Sequence, residues 1–205
     1  MSSSVQYRHP WLYRLTIPLI HTKPVLRAFN RAVGKHVSVF DVAAGFGGMA
    51  GHIDRTNTYS GIDLNDVYLA HARQQGLDVR HGNIFDKAAY RPADVLILVD
   101  VVHHITEDKL PELFDLVFAH AKQRVVVMEP YYMSLCETYG PAARPIEWAL
   151  RVLDSDGTNT IDRWFTRTEY ETMFTAGFSS RHAADFTVSV QKAYPYYIVT
   201  YTRKS

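Results

Sequence analysis

One cysteine, Cys136, occurs in 205 residues, so no intrachain disulfide can form, and the absence of paired Cys or Cys/His spacings argues against a structural zinc site; no metal is expected. An excess of one charge is also missing. Lys and Arg number 22 against 21 Asp and Glu, which leaves no field that would draw nucleic acid or an anionic membrane as the main partner. Long hydrophobic runs are lacking too. The stretch Trp11-Leu-Tyr-Arg-Leu-Thr-Ile-Pro-Leu-Ile20 is interrupted by Arg14 and Pro18, is too short to span a bilayer and is followed by no small-residue cleavage site. No stable membrane insertion is expected, and a reducing, cytoplasmic setting is the simplest reading. There is no internal repeat and no low-complexity segment. What remains is a 47% apolar chain of a length that fits one domain with a single sizeable core.

Residues 1–36 carry Trp11, Leu12, Leu15, Ile17, Leu19, Ile20, Leu26 and Phe29 with basic residues between them, which predicts an N-terminal helical cap of one or two short helices broken near Pro18 and Pro24. Such a cap covers the cofactor or, alternatively, lies on a membrane surface through an amphipathic face. From Val37 onward the pattern alternates. Strands are expected at 37–41, 58–63, 77–81, 93–99 and 124–129, and helices at about 47–55, 65–75 and 107–120. This alternation predicts an α/β fold, a doubly wound Rossmann-like sheet that is mostly parallel, with helices on both faces. The wholly apolar runs Val95–Val99 and Val125–Met128 suit strands covered on both sides. Residues 131–163, with Tyr131, Tyr132, Tyr139, Pro141, Pro145 and Trp148, break the rhythm as a lid or substrate wall. Thr166 followed by Glu169 resembles a capping box for a helix that stops at Gly177. Two final strands, about 180–189 and 195–203, bring in an antiparallel end.

The segment Val37-Ser-Val-Phe-Asp-Val-Ala-Ala-Gly-Phe-Gly47 reads as an apolar strand ending in an acid and a small-residue turn, a place where backbone amides can approach a ligand closely. An acid at Asp41 suits a ligand with positive charge better than a pyrophosphate. Gly45-Phe-Gly47-Gly-Met-Ala50 also satisfies the relaxed dinucleotide pattern GxGxxA, so a nicotinamide cofactor is the rival on this turn alone.

Several features in order, over about residues 37–203, carry a resemblance to the class I S-adenosylmethionine (SAM)-dependent methyltransferases of the small-molecule type. Asp41-Val-Ala-Ala-Gly-Phe-Gly47 resembles that family's first motif, Asp-x-Gly-x-Gly-x-Gly, with Ala43 in place of the first glycine, a departure that calls for an unstrained backbone there. Gly61-Ile-Asp63 resembles the second strand and its terminal acid, and His81-Gly-Asn83 stands where the family commonly has Gly-Asp. Asp94 to Ile105 resembles the fourth strand with its His-rich turn, Val125-Val-Val-Met-Glu-Pro130 the fifth strand, and Phe165 through Phe178 the last helix.

The resemblance implies SAM as cofactor, held by Asp41, Ala43, Gly45, Gly47, Asp63, Leu64, Asn83, Ile84, Asp100 and Val101. Asp63, roughly 18 residues beyond Gly45, lies near the spacing at which a carboxylate reaches both ribose hydroxyls. Asn83 would accept from the adenine amine. His103 and His104 are the candidate catalytic bases, with pocket shaping as the plainer role for the pair. Adjacent histidines on a turn are expected to point apart, which argues against a shared metal. Tyr131, Tyr132 and Arg163 are the candidate substrate contacts, with ordinary lid packing or a solvated arginine as the alternatives. Glu129 is expected to support the pocket rather than perform chemistry.

The expected activity is methyl transfer from SAM to O, N or C of a small, partly apolar or aromatic biosynthetic metabolite. The alternatives are a non-methylation reaction on the same fold, such as cyclisation or group transfer, and a non-catalytic SAM-binding partner subunit. Base methylation of nucleic acid is disfavoured by the neutral charge and by Asp100-Val-Val-His103 in place of an Asn/Asp-Pro-Pro-aromatic motif. The lid either closes over the substrate or pairs with a second copy, so a homodimer stays among the alternatives.

Overall fold

Seven strands hydrogen-bond in the order β3-β2-β1-β4-β5-β7-β6 in the computed structural model of the chain, which describes residues 21–130, 140–145, 148, 167–177, 181–193 and 196–205. The strands are β1 Ser38–Val42, β2 Thr58–Asp63, β3 Asp78–His81, β4 Ala93–Val99, β5 Ala121–Pro130, β6 Phe186–Ala193 and β7 Tyr196–Arg203. The first five are parallel to their neighbours, while β7 runs antiparallel to β5 and β6 antiparallel to β7. Among the described residues the helices include α1 Lys23–Val33, α2 Asp66–Gln74, α3 Leu110–His120 and α4 Arg167–Thr172, the last running into a π turn at Met173–Gly177. Among the described residues no helix is long and apolar enough to cross a membrane.

The apolar runs of β4 and β5 alternate between two cores. Leu96, Leu98, Val125 and Val127 meet Leu113, Phe114, Val117 and Phe118 of α3 on one face. Val95, Ile97, Val126 and Met128 meet Val25, Phe29 and Val33 of α1 on the other. Each of these strand residues is fully buried, which at about 25 cal/mol per Å² of apolar surface is the main force holding the two layers to the sheet. Helix α1 is thus part of one of the two cores. Pro24 does not break it but lies in its first turn, where a missing amide donor costs nothing.

Two expectations differ from the structure. The helix expected over 47–55 is only a five-residue 3-10 turn, Gly48–His52. Gly48 and Gly51 each lower helix propensity by about 1 kcal/mol, and Asp54 ends the segment by accepting the Thr56 amide and hydroxyl. Buried Met49 and Ile53 still anchor this turn on the sheet. The first of the two final strands begins at Phe186 rather than near 180, because residues 181–185 form a helical turn that places His182 against Phe118.

Gly61 brings β1 and β2 into the register that matters. A Cβ there would stand 2.8 Å from both the Asp41 carbonyl oxygen and Ala44 Cβ. Only a bare backbone lets the loop after β1 lie against β2, where the Ala44 amide donates to the Ile62 carbonyl at 2.8 Å.

Candidate active site

In an open parallel sheet the loops that leave the carboxyl ends of the strands form one crevice, and the strand register gathers Asp41, Asp63, Asn83, Asp100 and Glu129 along that edge. Asp41 is the penultimate residue of β1, is 2% exposed and accepts a hydrogen bond from the Tyr59 hydroxyl at 2.6 Å. Burial pushes its carboxyl up to about 7; the Tyr59 bond opposes that shift and the charge of Asp63 adds to it. Tyr59 was not foreseen as part of the site. It lies two residues before Gly61, the register partner of Asp41, so a diagonal cross-strand relation was the available signal.

Asp63 organises the glycine loop. Its Oδ2 accepts from the Gly45 amide at 2.8 Å and its Oδ1 from the Asn65 amide at 2.7 Å. Both carboxylate oxygens thus tie the end of β2 to the backbone of the neighbouring loops. Gly47 has φ 79, a left-handed backbone that strains other residues, and a Cβ on it would come within 2.2 Å of Leu77 Cδ1, which would have to move. Ala43 has φ 71. The unstrained backbone expected at that position is not what the loop adopts: the alanine takes the left-handed conformation that the family's glycine would take freely, at a cost of about 1–2 kcal/mol.

Next along the edge, Leu64 is 49% exposed and Ile84 is buried, its carbonyl accepting from the Tyr90 hydroxyl at 2.6 Å. Asn83 uses its side-chain oxygen locally, accepting the Phe85 amide at 3.0 Å in an Asx turn.

The ends of β4 and β5 carry the densest polar network. Glu129 is fully buried; its Oε1 accepts the Val101 amide at 2.8 Å and the Val102 amide at 2.7 Å, and its Oε2 contacts His103 Nδ1 at 2.7 Å. Three consecutive residues therefore hang on one carboxylate. The His103 and His104 rings lie 4.1 Å apart, centre to centre, and do not diverge as expected for neighbours on a turn. Among the described residues no cluster of three or more potential ligands forms a metal site. Asp100 has φ 53, and its Oδ2 meets His21 Nε2 at 2.8 Å in a pair whose side chains are 12% and 4% exposed. His21 was missed because nothing local to it in the sequence distinguishes it; it lies 79 positions from its partner. Tyr131, Tyr132 and Arg163 lie outside the described residues, as does most of the expected lid.

No family model and no curated sequence matches the chain. Solved structures do. An O-methyltransferase family protein from Burkholderia thailandensis superposes with TM-score 0.67 at 17% identity, over 98% of this chain and 62% of that one. Human N-acetylserotonin methyltransferase in complex with SAM gives TM-score 0.67 at 20% identity, over 98% of this chain and 58% of that one. A SAM-dependent methyltransferase from Thermotoga maritima, a possible histamine N-methyltransferase, gives 0.64 at 13% identity, over 97% and 98%. The chain spans about three fifths of the first two proteins and nearly all of the third. At these identities the likeness is one of architecture: the chain has the Rossmann-like fold of the class I SAM-dependent methyltransferases.

Proposed function

We propose that the chain is a SAM-dependent methyltransferase acting on an oxygen or nitrogen of a small molecule, with His103 as the base that removes the acceptor's proton. The observation that carries this reading is the buried Glu129–His103 pair at the carboxyl edge of the sheet, where β4 is the immediate neighbour of the strand that bears the glycine loop. A carboxylate only accepts, and Glu129 Oε1 already takes two amide protons. Oε2 is then matched by Nδ1–H, an assignment that follows from the network and makes Nε2 the nitrogen that receives a proton. The contact between Glu129 and His103 is the ground for choosing His103 over the adjacent His104 as the base.

The residues present fit SAM. Asp63 at the end of β2 is a carboxylate held against the glycine loop, the type of group that meets ribose hydroxyls, and the desolvated acid of Asp41 favours a ligand bearing positive charge. Asp100 Oδ1 is buried and takes no hydrogen bond among the described residues, an acceptor suited to a donor on a ligand. Leu64, Asn83, Ile84 and Val101 complete the expected cofactor contacts, and Tyr131, Tyr132 and Arg163 remain the expected acceptor contacts. SAM, when bound, supplies a methyl group on a sulfonium. The chain's own residues hold the two reactants together, exclude water and move one proton, the last worth about 10²–10⁴ in rate. Two of the similar structures, N-acetylserotonin methyltransferase and a possible histamine N-methyltransferase, support a small acceptor.

Calorimetry with SAM, S-adenosylhomocysteine and NAD is the first test. Binding of both sulfur nucleosides and none of NAD is expected; failure to bind either would sink the reading. With an acceptor from a screen, the product should gain one methyl group. His103→Ala should then lower kcat by about 10²–10⁴ with SAM affinity unchanged, and His104→Ala by much less.

A further inference from the structure

The balance of 22 Lys and Arg against 21 Asp and Glu conceals a division along the chain. Residues 1–40 hold six of the cations, Arg8, Arg14, Lys23, Arg27, Arg31 and Lys35, and no acid. The first acid is Asp41, and the rest of the chain holds 16 cations against 21 acids. An asymmetry of that kind marks a segment that meets an anionic partner.

The fold decides where those charges go. Helix α1 buries Val25, Ala28, Phe29 and Val33 against the sheet. Lys23, Arg27 and Arg31 recur every fourth residue on the opposite side; all three are exposed, and none of their side chains enters a hydrogen bond or ion pair among the described residues. Like charges at this spacing oppose helix formation, and Lys23 in the first turn also opposes the helix dipole, with no acid there to offset it. The stripe therefore does little for the helix that carries it. Lys35, past the end of α1, differs in having an acid, Asp54, at 3.1 Å.

The sequence just before α1 adds a second signal, the apolar side chains of Trp11, Leu12, Leu15, Ile17, Leu19 and Ile20. Aliphatic groups have no counterpart on a nucleic-acid backbone, whereas aliphatic groups and cations together match the boundary of an anionic bilayer, where the two attractions add. His21 joins that sequence to α1 and meets Asp100 Oδ2 at 2.8 Å, so the chain enters α1 at the rim of the crevice. We propose that the Lys23–Arg27–Arg31 face of α1, with the apolar sequence before it, is a peripheral docking surface for anionic lipid headgroups, which sets the rim of the crevice against the bilayer. The contact lies in the headgroup region, and it does not depend on which cofactor the crevice holds.

Co-sedimentation of the full chain with lipid vesicles tests it. Vesicles of phosphatidylcholine with about a third phosphatidylserine should bind the wild type, and vesicles of phosphatidylcholine alone should bind it far less, the difference shrinking as salt is raised. Replacing the three cations together, Lys23→Gln, Arg27→Gln and Arg31→Gln, keeps side chains that favour a helix. That variant should partition onto the anionic vesicles about a hundredfold more weakly, close to fivefold for each cation, while its urea midpoint stays at the wild-type value. Equal binding of the wild type to both kinds of vesicle overturns the proposal, as does a triple variant that folds and binds as well as the wild type. A wild type that ignores both vesicles overturns it too; uptake of single-stranded RNA, lost in the triple variant, would then assign the stripe to nucleic acid.

Discussion

Asp41 and Glu129 are both buried carboxyl groups at strand ends, yet their surroundings differ. Asp41 near the end of β1 receives one side-chain hydrogen bond among the described residues, from Tyr59, and has Asp63 as a charged neighbour; its carboxyl is pushed up to about 7. Glu129 in β5 is more deeply buried and is matched by two amides and an imidazole. Burial does not by itself define what an acid can do; the donors around it do. The β1–β2 half holds an under-matched acid, suited to meeting a cation, and the β4–β5 half holds an acid whose partners are all internal, suited to fixing a loop and a histidine.

The comparison breaks first at Glu129. Glu129→Ala strands two buried amides and the His103 ring, so chemical denaturation should show a loss of about 3–5 kcal/mol, with Glu129→Gln losing less. A loss below about 1 kcal/mol would mean that the loop over 101–103 does not depend on this carboxylate.

The next test is the pH dependence of Asp41. Its folded pKa lies above the unfolded value of 3.8, so between 3.8 and about 7 the folded state keeps a proton that the unfolded state releases. The contribution to stability is fully present below 3.8 and is lost as pH rises, on the order of 4 kcal/mol across that window, levelling off above it. Asp41→Asn should remove this decline, so denaturation midpoints of wild type and variant should diverge from pH 4 to 7. Parallel curves would place Asp41 on the same footing as a solvated acid.

The smallest effect belongs to the loop between the two halves. Ala43→Gly relieves a left-handed alanine but adds backbone freedom to the unfolded chain, for a net gain of about 0.5–1 kcal/mol in thermal or urea denaturation. A destabilised variant would show that the Ala43 methyl contributes packing that outweighs the strain.

The succession of strands and helices was legible because it depends on local pattern, whereas the strand order and the division of the apolar residues between two cores came only with the tertiary structure. Runs such as Val95–Leu98 and Val125–Met128 can be buried on both faces only in the middle of a parallel sheet, and the acids that end strands must emerge at its carboxyl edge. Less legible was the segment after Gly47, where the alternating pattern called for a helix and two glycines with an Asp54 stop left a single turn.

The amino-acid sequence by itself determined the class of fold, the glycine loop and the list of acids along one edge, because periodicity and backbone conformational preference act between near neighbours. Only the tertiary structure decided which partner each acid has: Tyr59 for Asp41, the Gly45 amide for Asp63, His21 for Asp100, and His103 with two amides for Glu129. These pairings span 18 to 79 positions and rest on distances of 2.6 to 2.8 Å that no sequence spacing encodes, since they arise from strand register and from where α1 is pressed against the sheet.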